Sequence, residues 1–187
     1  MRRLTTAMMV GAVATLLAAS TARAQGYVYF AGGANIPVGT FKDGNKTGWI
    51  ASAGVGANVG NKGLWVEAEG WYGSNKFKLG SVYDEPGKTT ILSGLGVVGY
   101  DLTHDKSWTP YIAAGLGFLH AKAELDAGGS ASSTKFAYTG AGGLSFKAGS
   151  SAHVFVEVRY LAGTSTGYAK MIPITAGVSI AFGKKKM

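Results

Sequence analysis

Apolar and polar residues alternate with a period of two along most of the chain after residue 25. The clearest case is residues 152–162, AHVFVEVRYLA, where one parity carries valines and a tyrosine and the other carries Glu157 and Arg159. This period is characteristic of a β-strand whose two faces meet different surroundings. In a soluble protein the charged face would meet water. In a transmembrane barrel the apolar face meets lipid and the charged face lines the lumen.

Eight such segments, separated by turn residues, are predicted along the chain. They cover residues 26–35, 48–59, 64–73, 89–102, 110–122, 134–147 and 152–162, and an eighth segment ends at Phe182. The connections after the first, third and fifth segments are longer than those after the second, fourth and sixth. This alternation is typical of outer-membrane barrels with short periplasmic turns and longer external loops. We therefore predict an all-β fold, an eight-stranded antiparallel up-and-down transmembrane β-barrel with both termini periplasmic.

A soluble lipocalin-like barrel is the alternative, and it would reverse the sense of the faces. The second, seventh and eighth segments instead carry a fully apolar face opposite glycine, serine, threonine and paired charge, which favours lipid outside. In the fourth segment, whose faces are ambiguous, we predict Leu92, Val98 and Tyr100 to point outward. Aromatic residues near the segment ends are explained either by interfacial girdles or by ordinary core packing: Tyr27, Trp49, Tyr72, Tyr100, Phe136, Tyr160 and Phe182.

The first 24 residues have the features of a signal peptide. Arg2 and Arg3 precede an apolar run over residues 7–19, and residues 22–24 fit a small-x-small cleavage site. The run is shorter than the about 20 residues that a spanning helix needs. We expect a cleaved signal peptide at residues 1–24, an outer-membrane β-barrel at 25–183 and a basic C-terminal tail at 184–187.

Composition adds two constraints. The chain has no cysteine, so it must be stable without disulfides, and its 30 glycines recur inside the apolar segments. Glycine suits a narrow barrel, where strands bend sharply and large opposing side chains need room. The mature chain keeps an excess of basic over acidic residues, spread over the predicted turns. This distribution favours acidic lipid head groups or solubility, and it argues against nucleic acid as a partner.

Four charged residues form the candidate site: Glu67, Glu69, Glu157 and Arg159. All four are predicted to face the lumen from the third and seventh strands. A buried charge is costly unless it is paired, so we expect a hydrogen-bonded ion-pair plug in which Arg159 meets Glu157 or a carboxylate of the third strand. An eight-stranded lumen is narrow enough for long side chains to cross. A gated ion path and a catalytic acid pair are the functional alternatives.

No metal or cofactor is expected. His104 and His153 are predicted at the periplasmic end and His120 near the outer rim, about a strand length away, so they cannot share a metal. Residues 94–99 match the GxGxxG string, but no helix follows them as a dinucleotide site requires.

The chain resembles the OmpA/OmpX-type and opacity-protein group of eight-stranded outer-membrane barrels of Gram-negative cells. The resemblance covers residues 26–182 and rests on residues 157–160 (EVRY), on Pro110-Tyr111 followed by residues 115–117 (GLG), and on the alternating last strand that closes on Phe182. It implies insertion by the barrel-assembly machinery, which reads the last strand and its terminal aromatic residue.

From the pattern and the resemblance together we expect a non-enzymatic, porin-like small barrel with a plugged polar lumen that serves envelope integrity or surface interaction. Outer-membrane lipids, lipopolysaccharide and a surface or periplasmic protein are the expected partners. A lipid A-modifying enzyme using His120 and a narrow channel for small solutes are the alternatives. Any recognition would lie in the external loops, which carry Lys76, Lys78, Asp84 and Glu85.

Overall fold

The computed structural model of the protein describes residues 26–60, 63–80, 84–103, 107–165 and 167–182. The predicted signal peptide, His104 and the basic tail lie outside the described residues. Within these ranges the chain forms eight strands and one short helix, and no helix is long and apolar enough to cross a membrane. The elements are β1 (Gly26–Pro37), α1 (Phe41–Gly44), β2 (Gly48–Val59), β3 (Leu64–Lys76), β4 (Gly87–Asp101), β5 (Trp108–Leu125), β6 (Ser130–Lys147), β7 (Ala152–Gly163) and β8 (Lys170–Phe182).

The strands close into one barrel in sequence order. Each strand pairs antiparallel with the next, and β1 pairs with β8 from Gly26 opposite Phe182 to Pro37 opposite Met171. Closure leaves no open sheet edge along the body of the barrel, which every membrane-spanning sheet requires. The predicted eight-stranded antiparallel up-and-down barrel is therefore confirmed.

The two ends of the barrel differ in their connections. We call "turn end" the end that holds Gly26, Phe182 and the connections 60–63, 102–107 and 148–151. We call "loop end" the end that holds the connections 38–47, 77–86, 126–129 and 164–169. The loop end also holds α1, a single helical turn that the sequence pattern did not predict.

The predicted long connection after the fifth strand is wrong. β5 and β6 are each 18 residues long, and they pair as far as Glu124 opposite Ser130, so only residues 126–129 connect them. The sequence predicts a loop over residues 126–133 because this segment is rich in small polar residues. Serine and threonine that alternate on a ladder satisfy their backbone groups by pairing, so composition alone misplaced the strand boundary.

The outward faces agree with the predicted apolar parity. Leu92, Val98 and Tyr100 of β4 are exposed, as are the outward residues of the other strands. The exposed large side chains include Trp49, Tyr72, Leu116, Phe136, Tyr138, Val156, Val158, Tyr160, Ile174, Val178, Ile180 and Phe182. Large apolar side chains exposed all around a closed sheet are the opposite of a soluble barrel, whose apolar residues point inward.

Inward-pointing aromatic side chains lie over glycines of the neighbouring strand. Tyr29 is the register partner of Gly54 and Trp65 is the partner of Gly99. A Cβ atom built on either glycine would collide with the ring of its partner. Tyr27 with Gly56 and Tyr111 with Gly143 repeat this arrangement. Glycines thus make the room that lets four large rings enter a narrow lumen.

Candidate functional site: the lumen of the barrel

The loop-end half of the lumen is filled by apolar side chains. Ile50, Ile91, Leu119, Leu161 and Met171 are each at most 1% exposed and belong to one contiguous cluster. Phe41 of α1 and Tyr168 of the last connection pack against this cluster. The sequence analysis expected a polar lumen throughout, and this half corrects that expectation. Isolated apolar residues of the inward parity, such as Ile50 and Leu161, were its signal in the sequence.

Buried asparagine side chains form hydrogen bonds at the loop end, next to the apolar cluster. Asn35 Nδ2 donates to Asn75 Oδ1 at 2.7 Å, and Asn75 Nδ2 donates to the Lys46 carbonyl at 2.8 Å. Thr89 Oγ1 donates to Asn45 Oδ1 at 2.7 Å. These bonds tie the connection 38–47 to β1, β3 and β4. Sequence reasoning missed them because single asparagines in strands and turns carry no pattern.

Arg159 lies at the centre of the polar half, almost fully buried. Its Nε donates to Glu157 Oε1 at 2.8 Å and one terminal nitrogen donates to Glu69 Oε1 at 2.7 Å. The guanidinium also lies 4.9 Å from the ring centroid of Trp71. Glu69 is on β3 and Arg159 is on β7, so the ion pair crosses the lumen. The structure brings together all four charged residues that the sequence singled out: Arg159 bonds Glu69 and Glu157, and Glu67 lies beside Glu69.

Tyrosine hydroxyls supply the remaining hydrogen bonds to the carboxylates. Tyr29 donates to Glu69 Oε2 at 2.7 Å, and Tyr111 donates to Glu157 Oε2 at 3.1 Å. Tyr27 donates to Glu67 Oε2 at 2.9 Å, so it points into the lumen and is not an interfacial girdle residue. Tyr27 and Tyr29 alternate with Val28, and this period placed them on one face of β1. Their direction was decided only by the pairing with β2 and β8.

Glu67 differs from the other two glutamates. The Tyr27 hydroxyl donates to it and the Glu69 carboxyl lies within hydrogen-bond reach of it, and within the described ranges no cation lies within ion-pair distance of it. Arg159 contacts Glu69 and Glu157 but not Glu67. The network therefore holds three carboxyl groups around one guanidinium, and Glu67 is the member left toward the turn end.

A cavity of about 220 Å³ lies between the network and the turn end. Tyr27, Glu67 and Phe155 are among the residues of its wall, and Asn58, Asp101 and His153 lie near its mouth at the strand ends. Ser52 Oγ and Trp71 Nε1 lie in the same lining, and both are buried without a hydrogen-bond partner. The polar half of the lumen is thus partly empty, and a second pocket of about 330 Å³ lies at the loop end, beside Phe41, Ala121 and Tyr168.

The other predicted positions stay apart from this network. His120 lies near the loop end, and its Nδ1 is 2.7 Å from Thr134 Oγ1; His153 lies at the mouth of the cavity. No group of three or more His, Asp or Glu side chains in the described part of the chain is arranged to hold a metal. Phe182 is 54% exposed at the end of β8. Its part in assembly stays a prediction.

Lysines gather on the outer surface near the loop end. Lys76 of β3 is the register partner of Lys88 of β4, and Lys88 in turn is opposite Glu124 of β5. A hydrogen bond of 2.7 Å from Lys122 lowers the pKa of the Glu124 carboxyl. On β3, Tyr72 lies on the same face as Lys76, two outward positions nearer the turn end, and its ring packs in a tilted arrangement against Trp49 with the ring centroids 5.6 Å apart. We call Lys76, Lys88 and Lys122 the lysine patch.

The sequence of this chain matches one known protein family over most of its length. Residues 5–182 match the family described as "Outer membrane protein beta-barrel domain". The chain belongs to this family. The match extends over all eight strands, so the exposed apolar band belongs to an outer-membrane barrel, and the predicted relation to small OmpA/OmpX-type barrels is confirmed. A comparison with curated protein sequences finds no match.

Two solved structures share the fold. Neisserial surface protein A is 18% identical, with a TM-score of 0.67 over 84% of this chain and 97% of that protein. Ail, the attachment invasion locus protein of Yersinia pestis, was solved in complex with the heparin analogue sucrose octasulfate. It is 17% identical, with a TM-score of 0.56 over 85% of this chain and 97% of Ail. At these identities the comparison shows a common fold.

Proposed function

We propose that this outer-membrane barrel serves envelope integrity or surface interaction, and that it neither conducts solutes nor catalyses a reaction. The observation that carries the proposal is the filling of the lumen. The Glu69–Arg159 pair crosses it and the apolar cluster of Ile50, Leu119 and Leu161 fills the half beyond. A channel needs a continuous wet path, and an apolar, close-packed section opposes one.

Orientation and export belong to the same proposal. Cleavage after Ala24 would release a barrel with the turn end in the periplasm and the loop end outside, since short turns of such barrels are periplasmic. We also propose that the barrel-assembly machinery inserts this barrel and reads the strand that ends at Phe182, an exposed aromatic residue. The loop end then carries any surface contact, including one with another protein.

Single-channel recording tests the closed lumen. The refolded mature barrel in a planar bilayer in concentrated KCl is expected to give no steady openings above the membrane leak. The double variant Leu119→Ala/Leu161→Ala removes two side chains of the apolar cluster. If this packing blocks ions, the conductance of the double variant should exceed that of the wild type. A steady conductance of the wild-type barrel would contradict the proposal and favour the channel.

The surface contact that the structure supports best is with phosphate groups of lipopolysaccharide. Like charges directly opposite on two strands destabilise a sheet, and Lys76 faces Lys88 in this way. An external anion between the two ammonium groups would remove that cost. The Trp49–Tyr72 pair lies just below, where an aromatic girdle marks the interface. The anion bound by the fold relative Ail is consistent with anion contact at this kind of barrel.

Thermal unfolding in two membranes tests this contact. Lipopolysaccharide-containing vesicles should raise the melting temperature of the wild-type barrel above its value in phosphatidylcholine vesicles, because a ligand that binds only the folded state stabilises it. The double variant Lys76→Gln/Lys88→Gln should lose most of this increase. Lys147→Gln, at the turn end, is the control and should keep it. Equal increases in all three proteins would refute the role of the lysine patch.

A further inference from the structure

Glu67 is an inward-facing carboxyl group that closure of the lumen does not use. Arg159 compensates the charges of Glu69 and Glu157 through hydrogen bonds of 2.7 and 2.8 Å. The group that donates to Glu67 is instead the Tyr27 hydroxyl, at 2.9 Å. Among the described residues Glu67 has no ion-pair partner, so its charge state is set by the groups that surround it.

The carboxyl groups of Glu67 and Glu69 lie within hydrogen-bond reach of each other. They are two residues apart on β3, so both side chains point to the same face of the strand. An ionised carboxylate has acceptors only, so a hydrogen bond between two carboxyl groups requires a proton on one of them. Glu69 accepts from Arg159 at 2.7 Å and from Tyr29 at 2.7 Å, which are the partners of an ionised carboxylate. The proton therefore belongs on Glu67.

The other strands around this pair do not compensate a second negative charge. Asp101 of β4 and Glu157 of β7 line the same cavity, and Tyr111 of β5 donates its hydroxyl to Glu157. His153 of β7 lies at the mouth. The described lining residues of β2, β6 and β8 have no titratable side chain. Ionising both carboxyl groups of the pair would place two like charges in contact, where a narrow lumen screens them less than water does.

From this geometry we propose that the folded barrel binds one proton at neutral pH, held by Glu67 and donated in a hydrogen bond to Glu69. Tyr27 then donates to the carbonyl oxygen of the neutral Glu67 carboxyl group. Arg159 and the three glutamates together carry one net negative charge instead of two. Glu67 lines the turn-end cavity, through which the proton exchanges with the solution on that side. Closure of the lumen to ions and binding of this proton are independent properties.

A proton that only the folded barrel binds makes its stability depend on pH. In the unfolded chain a glutamate is ionised above about pH 5. Unfolding above this pH releases the proton, so the unfolding equilibrium constant rises about tenfold for each unit of pH until the folded barrel itself ionises. The contribution of Glu67 to stability is therefore largest toward acid and declines as the pH rises.

Urea unfolding of the refolded mature barrel between about pH 5 and about pH 8 tests the site. Glu67→Gln has nearly the same shape and can donate to Glu69 through its amide, but it has no proton to release. The ratio of the unfolding constants of the wild type and Glu67→Gln should rise about tenfold per pH unit, since the titration of all other groups cancels in this ratio. Glu124→Gln, which removes a carboxylate of the outer surface near the loop end, is the control. Its ratio to the wild type should stay constant over the same range.

Infrared spectroscopy locates the proton without unfolding the barrel. Dodecyl maltoside micelles contain no ester or carboxyl group that would overlap the signal. In them the wild type at neutral pH should show the C=O stretching band of a protonated carboxyl group, and Glu67→Gln should lack it. A wild type without this band, or a ratio of unfolding constants that does not change with pH, would overturn the proposal. A band that persists in Glu67→Gln would place the proton on another carboxyl group and would overturn it as well.

Discussion

The two halves of the lumen bury their inward-facing side chains through different interactions. The loop-end half buries Ile50, Leu119 and Met171 as a soluble core would, by close contact of apolar side chains. The turn-end half buries Arg159 and pairs it with Glu69 and Glu157. The first arrangement tolerates no space, because each lost contact reduces stability. The second depends on the directions of hydrogen bonds, and it borders a cavity of about 220 Å³.

The difference shows that an inward-facing position in a small barrel need not be polar. Apolar side chains that point outward leave water for lipid when the barrel inserts. Water excluded from a narrow lumen does reward burial inside it. The loop end, with α1 and most of the longer connections, is filled mainly by apolar side chains beside a pocket of about 330 Å³, whereas the turn end retains buried charge and a cavity of about 220 Å³.

Removing the buried cation of the polar half should reduce the free energy of unfolding more than the other substitutions. Arg159→Ala leaves Glu69 and Glu157 buried without a cation, and should lower the free energy of unfolding by about 3–5 kcal/mol. Urea titration of the refolded barrel in vesicles measures this change. Lys147→Ala, an exposed base at a strand end, is the control and should change stability by less than about 1 kcal/mol.

A second variant identifies the cause of that loss. Adding Glu69→Gln to Arg159→Ala removes one uncompensated charge, so the double variant should be more stable than Arg159→Ala alone. If Arg159→Ala unfolds at the wild-type urea concentration, the ion pair is not what holds the polar half together.

Truncation in the apolar half should have a slightly smaller effect. Leu119→Ala removes a side chain that is 0% exposed and should cost about 2–5 kcal/mol through the cavity it leaves. Leu116→Ala lies on the same strand, but its side chain is 59% exposed on the outer surface, where lipid fills the gap. The same urea titration should therefore show a clearly smaller loss for Leu116→Ala. Equal losses would mean that the apolar cluster is not packed as a core.

Much of the fold could be predicted from the sequence. Alternation in β2, β7 and β8 determines which residues can share a face, and the apolar face of Val156, Val158 and Tyr160 opposite Glu157 and Arg159 favours a membrane barrel over a soluble one. The charged pair Glu157 and Arg159, two residues apart, lies on one side of a strand in any such fold. These features are local, since they depend on a period of two along one strand. The loop after β5 was misplaced because composition carries less information than pairing.

The tertiary structure decided the remainder. Barrel closure brings Glu69 within 2.7 Å of Arg159 across 90 positions of the chain, and strand register places Tyr29 over Gly54. It also turns Tyr27 inward and gathers Ile50, Leu119 and Met171 from separate strands into one cluster. No single segment contains these contacts. They depend on the register and curvature of eight strands at once, because a side chain's neighbours in a narrow lumen are supplied by the opposite wall.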